Sequence, residues 1–220
     1  MELITGDNLL PAAEALHNGD LVVVPTRRWY MICADATNAD ACERIFEAKM
    51  RPRSKSLAYV LPERELAAEQ FTMNPAALRL AEEFWPGDLA LLLPWRDEQV
   101  GAAHATVGST NALVVHEEGV LGELARVADV PVGATTINIS GPPNAPGPGP
   151  AITLTDVRDF TARRNLAVAY AIDGGVCPLA HHLTIVDCST TDVTITRQGL
   201  VAARAVATAL SDLDPAQLVA

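Results

Sequence analysis

Aromatic side chains are scarce, three Trp, three Tyr and four Phe making up 5% of the chain. Any interior must therefore be built mainly from Val, Leu, Ile and Ala. Basic residues are also short, with 16 Lys and Arg against 27 Asp and Glu and a formal net charge of -11. That balance excludes a protein that grips nucleic acid over its whole surface, because phosphate binding needs a broad basic face. A local basic pocket for a small anion remains compatible with it. The four cysteines, Cys33, Cys42, Cys177 and Cys188, form no CxxC pair and have no His at zinc-ligand spacing. They read as reduced core thiols of a cytoplasmic protein. No run reaches the ~20 apolar residues that span a bilayer. The opening MELITGDNLLPAAEALHNGD is amphipathic and acidic, unlike a secretory leader. There is no GxxxxGKS/T run, so a P-loop is excluded.

Hydrophobic residues are plentiful at 49% of 220, enough for a sizeable core. Short Val/Ile/Leu runs alternate with helical patterns. DLVVVPT (20–26), SLAYVLP, DLALLLP, NALVVH, PVGATTI, LAVAYAID, LTIVD and VTITR read as strands. TNADACERIFEAKM reads as a helix with Thr37 and Asp40 as its capping box and Cys42, Ile45 and Phe46 as its apolar stripe. NPAALRLAEEFW reads as a helix with Asn74 as cap, Pro75 in the first turn and Pro86 as the stop. Further helices are expected near 120–128, 155–165 and 200–210. The alternation predicts an α/β fold, a twisted mixed sheet with flanking helices in a single domain over residues 1–220. The Pro/Gly-rich stretch Ser140–Pro150 is expected to be a loop or lid over a site.

Four of the 16 cations stand in KMRPRSK, Lys49 to Lys55. Lys49 continues the helix stripe and so points inward. Pro52 ends the helix, which predicts an extended run with Arg51, Arg53 and Lys55 on one side. Two readings stand: a solvated basic turn at a helix C-terminus, or an anion site that compensates an inward Lys. Further on, Thr135, Thr136, Asn138 and Ser140 gather at a strand end, where ligands of open α/β sheets bind. Hydroxyls, an amide and free N–H groups there make a cradle for phosphate or a nucleobase. Cations and cradle together predict a nucleoside-triphosphate pocket. His181-His182 could mark a metal site, but reads better as a loop feature, and no metal ligand set is expected.

The motifs resemble, in order and spacing, those of the YrdC family, whose central members are threonylcarbamoyl-adenylate synthases. The resemblance runs from about Gly19 to Gly199. It is carried by VVVPT with Tyr30, by the helix ending in Lys49 and Arg51 as a KxR element, and by FWPGDLALLL. TTINISG is similar to the family's SxN element, with Thr136 for the serine and Asn138 kept, and AIDGG, LTIVD and TRQG follow, placing Arg197 at a late phosphate-contacting arginine. The resemblance implies a central electropositive cavity and a nucleotidyltransferase that joins ATP, bicarbonate and threonine or another amine. The products would be a carbamoyl-adenylate, as in tRNA modification, and pyrophosphate, with Mg²⁺ on the triphosphate and a downstream carbamoyl transferase as a partner. Lys49 and Arg51 would be catalytic, Thr136, Asn138, Ser140 and Arg197 would bind nucleotide, and Thr26, Arg28 and Tyr30 would border the amino acid.

The departures are as specific. PTRRWYMI stands where the family has a P-T-D-T-x-Y-G-L pattern, so Arg27, Arg28, Trp29 and Met31 replace smaller residues. Thr110 stands where the family shows an arginine, and Leu183 where it shows a serine. The amine end is rebuilt, and three readings of Arg27 and Arg28 stand: they return to the pocket the charge lost at Thr110, they meet a more acidic co-substrate, or they project into solvent. Two alternatives stay open: carbamoyl phosphate as substrate, as in hydrogenase-maturation carbamoyltransferases, and a non-catalytic nucleotide or RNA binder.

Overall fold

The computed structural model describes residues 1–141 and 149–213. Among these described residues, ten strands form one mixed sheet: β1 (Glu2–Ile4), β2 (Val22–Pro25), β3 (Tyr30–Asp35), β4 (Ala58–Val60), β5 (Leu89–Pro94), β6 (Asn111–Val115), β7 (Val132–Thr136), β8 (Tyr170–Ile172), β9 (Thr184–Asp187) and β10 (Thr194–Arg197). Their order across the sheet is β1-β8-β2-β3-β7-β4-β6-β5-β9-β10. The helices are α1 (Leu10–His17), α2 (Ala39–Lys49), α3 (Ala67–Gln70), α4 (Pro75–Phe84), α5 (Glu98–Ala103), α6 (Gly119–Val127), α7 (Leu154–Arg163) and α8 (Ala203–Leu210).

Successive residues of a strand face opposite sides, and here the alternation feeds two cores. Tyr30, Ile32 and Ala34 of β3 and Leu89, Leu91 and Leu93 of β5 join the core that α2, α4, α7 and α8 cover. Met31 and Cys33 of β3 and Ala90 of β5 join the core beneath α1 and α6. On that second side the two helices leave part of the sheet face open to a cavity.

The local signals hold where they are short-range. Asn74 Oδ1 accepts from the Ala77 N–H at 2.8 Å, and α4 stops at Phe84 because the residue before Pro86 is extended. The cap of α2 is a correction. Asn38, not Thr37, caps it, accepting from the Ala41 N–H at 2.9 Å, while the Thr37 hydroxyl turns back to Asp35 Oδ1 at 2.7 Å. β3 is unforeseen. Its pairing with β2, Val22 opposite Cys33 and Pro25 opposite Tyr30, turns PTRRWYMI into a hairpin. The Thr26–Trp29 turn sits at its tip. Residues 142–148, most of the expected lid, lie outside the described residues.

Candidate functional site

The open sheet face is the floor of a cavity of about 110 Å³. Met31 of β3, Ala134 and Thr136 of β7, Ala58 of β4, and Leu113 and Val115 of β6 form that floor. Arg28, Trp29, Arg51, His182, Leu183 and Arg197 complete the walls together with Ser56 and Thr135. Among the described residues, none of the cavity's lining groups carries a carboxylate. Thr110 takes no part, being exposed at the start of β6.

Lys49 ends α2 and is 1% exposed, pointing inward as its place in the helix stripe requires. Its Nζ donates to the Thr136 carbonyl, to the Asn138 carbonyl at 2.9 Å and to Asn138 Oδ1 at 2.8 Å. Three acceptors use the three protons of an ammonium. Burial, and after it the Arg51 guanidinium, pull Lys49 well below the usual lysine range. Lys49 stands behind the cavity wall: it pins the end of β7 and the Asn138 loop, while the Ser140 N–H closes back onto the Lys49 carbonyl at 2.7 Å. The Thr136 hydroxyl also donates to Asn138 Oδ1, at 3.1 Å. Its three bonds make Lys49 a support for the end of β7 and the Asn138 loop.

Arg51 follows Met50, whose left-handed backbone (φ 50°) ends the helix. Its Nε donates to the Lys55 carbonyl at 2.8 Å and its Nη2 to the Ser56 carbonyl at 2.5 Å. The run after it is not extended as its sequence predicts. The Lys55 N–H bonds the Pro52 carbonyl at 2.9 Å, so Pro52–Lys55 is a turn and the three cations do not share one side. Arg53 folds back onto α2, pairing with Glu43 and lying 4.5 Å from the centre of the Phe46 ring. Arg53→Ala is therefore expected to leave ligand binding and turnover within about twofold of wild type, because an exposed pair contributes little; a titration and a rate measurement check this.

Arg197 enters the cavity from the far end of the sheet, on β10, its Nε bonded to the Leu183 carbonyl at 3.1 Å. Gly199 permits the tight return behind it. A Cβ there would stand 2.3 Å from the Leu183 carbonyl carbon and 2.4 Å from the His182 oxygen. Among the described residues, no carboxylate pairs with Lys49, Arg51 or Arg197. Burial and then Arg197 lower Arg51 to about 10, and burial and then Arg28 lower Arg197. Burial, then Arg197, also lowers His182, favouring the neutral imidazole. Both guanidiniums remain charged near neutral pH. Two mutually repelling cations without carboxylate partners thus stand at one apolar-floored cavity, where an anion's charge would be favoured.

Arg28 is a different case. It is 3% exposed, yet its guanidinium pairs with both Asp88 and Glu117, and exposed Arg27 reaches Asp88 at 3.1 Å. Arg28 therefore neither projects into solvent nor offers its charge freely to a co-substrate. Its burial is compensated from within. Thr26 and Tyr30 likewise turn to the protein. Thr26 Oγ1 donates to the Trp29 carbonyl at 2.9 Å and accepts from the Arg28 and Trp29 N–H groups at 3.1 Å. The Tyr30 hydroxyl donates to the Gly175 carbonyl at 2.9 Å and accepts from the Gly174 N–H at 3.1 Å. Asp88 and Glu117 escape a sequence reading. Each flanks an apolar strand, the only available signal, and neither position predicts its partner.

Beside the cavity lies a larger cleft of about 580 Å³, walled by Trp29, Ile137, Asn138, Ile152, Phe160 and Arg164 among others. Its walls are chiefly apolar, and its volume lies in the range of small-molecule sites. Among the described residues, no three His, Cys, Asp or Glu side chains gather to hold a metal ion. His181 Nδ1 instead contacts the His182 carbonyl at 3.1 Å. No helix of the described residues is long and apolar enough to cross a membrane.

A family model for Sua5, YciO and YrdC proteins, described as "Telomere recombination", matches residues 14–199. The chain is 28% identical over 192 residues to a protein of Bacillus subtilis named threonylcarbamoyl-AMP synthase, covering 86% of this chain and 52% of that one. It is 29% identical over 189 residues to the protein of that name from Pyrococcus abyssi, covering 86% and 53%. Thus the chain spans about half the length of these relatives. The solved structure of P. abyssi Sua5 complexed with L-threonine superposes with a TM-score of 0.80 at 24% identity, over 96% of this chain and 60% of that one. That likeness establishes the mixed α/β fold.

Proposed function

The chain belongs to the Sua5/YciO/YrdC family, and on that premise we propose that it is a nucleotidyltransferase forming a carbamoyl-adenylate from ATP, bicarbonate and an amine such as threonine. The observation that carries the reading is the convergence of Arg51 and Arg197, both without carboxylate partners, on a cavity adjoining a cleft of nucleoside size. Bicarbonate gives up one oxygen, which leaves as water with a proton from the amine, as the amine nitrogen bonds to its carbon and forms a carbamate. A carbamate oxygen attacks the α-phosphorus, the bond from that phosphorus to the bridging oxygen breaks, and pyrophosphate leaves. Such a displacement needs alignment and charge stabilisation rather than a protein nucleophile. In this reading Arg51 and Arg197 meet phosphoryl oxygens, Asn138 and Thr136 shape the nucleotide's seat, and Lys49 holds that seat in place. Ser140 continues the loop, and Thr26, Arg28 and Tyr30 build the hairpin wall without spending their polar groups on substrate. The cavity's cationic donors do not fit a protein-held metal, so Mg²⁺ would arrive on the triphosphate, and no step here depends on it. Residues 1–220 act as one catalytic domain in the cytoplasm, passing the carbamoyl group to a downstream transferase for tRNA modification.

The test is pyrophosphate release from ATP with bicarbonate and a panel of amines including threonine, run beside carbamoyl phosphate as the alternative donor. Release that needs both bicarbonate and an amine supports the proposal. Release with carbamoyl phosphate alone selects the other chemistry. The absence of release under every condition, with salt-sensitive RNA binding in its place, overturns the enzymatic reading.

A further inference from the structure

All three tryptophans are buried, and two of them place the indole N–H on a carbonyl. Trp85 donates to Leu89 at 2.8 Å and Trp95 to Gly108 at 2.7 Å. Trp29 does not. It is 8% exposed, and its Nε1–H is buried without an acceptor. A buried, unpaired donor costs stability that the fold does not recover. Its backbone is held on both sides of the hairpin tip by the Thr26 hydroxyl, and its ring lies 5.6 Å from that of His182. So the ring is held in place at the hairpin tip.

Among the described residues, Trp29 is also the single one that lines both the 580 Å³ cleft and the 110 Å³ cavity. Arg28 lines the cavity alone, and Asn138 the cleft alone. If the cleft takes the nucleoside and the cationic cavity takes what is attached to it, which rests on the function proposed above, one group must lie at the junction. In ATP that group is the α-phosphoryl, between the sugar and the pyrophosphate. In a carbamoyl-adenylate it is the same α-phosphoryl, between the sugar and the carbamoyl group. We propose that the Trp29 Nε1–H donates a hydrogen bond to an α-phosphoryl oxygen at this junction, completing a donor that the unliganded fold leaves open. Preorganised donors of this kind lose little in orienting themselves when the ligand's charge arrives.

AMP and adenosine differ by this group and serve as probes. In protein labelled with ¹⁵N at the indoles, AMP should shift one of the three indole N–H signals, and adenosine should leave it in place. The signals of Trp85 and Trp95, closed on carbonyls, should not move. Trp29→Phe keeps a ring and removes the donor; it should weaken AMP binding on the order of tenfold, as loss of a hydrogen bond to a charged group implies, with adenosine affinity unchanged. Equal losses for the two probes, no loss for either, or an indole spectrum indifferent to AMP would each overturn the assignment. The spectrum needs no variant, so the test stands even if Trp29→Phe fails to fold. Failure of the wild-type protein to bind any adenine nucleotide would strike the nucleotidyltransferase reading itself. AMP binding without the Trp29 signature leaves that reading intact and removes this inference alone.

Discussion

Arg28→Met is expected to destabilise the protein by about 3–5 kcal/mol, the cost of leaving the buried Glu117 carboxylate without its cation, while Asp88 keeps Arg27. Asp88 and Glu117 converge on one guanidinium, and Glu117 is 5% exposed. Burial already raises the Glu117 carboxyl above its ordinary 4.5, and the Arg28 charge next to it pulls the other way. Removing that charge raises the carboxyl further. Between the unfolded and the raised folded value the native variant binds more protons than the unfolded chain, so its stability increases as pH falls through that window. Urea unfolding at several pH values should therefore show a gap from wild type that is widest above the raised Glu117 value and narrows as the pH falls through it. A gap independent of pH would mean that the cost is packing rather than charge. A variant as stable as wild type would mean that solvent reaches the cluster.

Arg51→Ala is expected to lower pyrophosphate release by about 10²–10³-fold, the scale on which single charge-stabilising donors act in a transition state. Stability should change by only about 1–2 kcal/mol, since the lost bonds run to the Lys55 and Ser56 carbonyls of a surface turn. Lys49→Met should behave differently. Its apolar stem fits the same burial, but the Thr136 and Asn138 oxygens lose their donor. We expect a stability loss of about 1–3 kcal/mol together with a loss of ATP affinity, because the nucleotide's seat is no longer fixed. Titration calorimetry and denaturant unfolding on both variants separate the roles. Near-wild-type release by Arg51→Ala would remove the cavity from the chemistry.

The contrast between Arg28 and Lys49 shows what could be read early. The inward direction of Lys49 follows from helical period alone, through Cys42, Ile45 and Phe46, and the strands carrying the cavity floor announce themselves by β-branched content. What each cation meets is another matter. Arg53, two residues beyond Arg51, turns to Glu43 because Pro52 opens a turn instead of an extended run. Arg28 finds its partners 60 and 89 residues away.

By itself, the sequence determined the α/β alternation, the capping of α4, the buried lysine at the end of α2 and the acidic exterior. These depend on periodicities of two and 3.6 residues and on the backbone preferences of Asn and Pro, all of them local. The tertiary structure decided that Arg197 faces Arg51, that Asp88 and Glu117 silence Arg28, and that Trp29 stands between two hollows. Those juxtapositions follow from the strand order β3-β7-β4-β6-β5-β9-β10, which makes neighbours of residues far apart in the chain, and no local preference encodes that order.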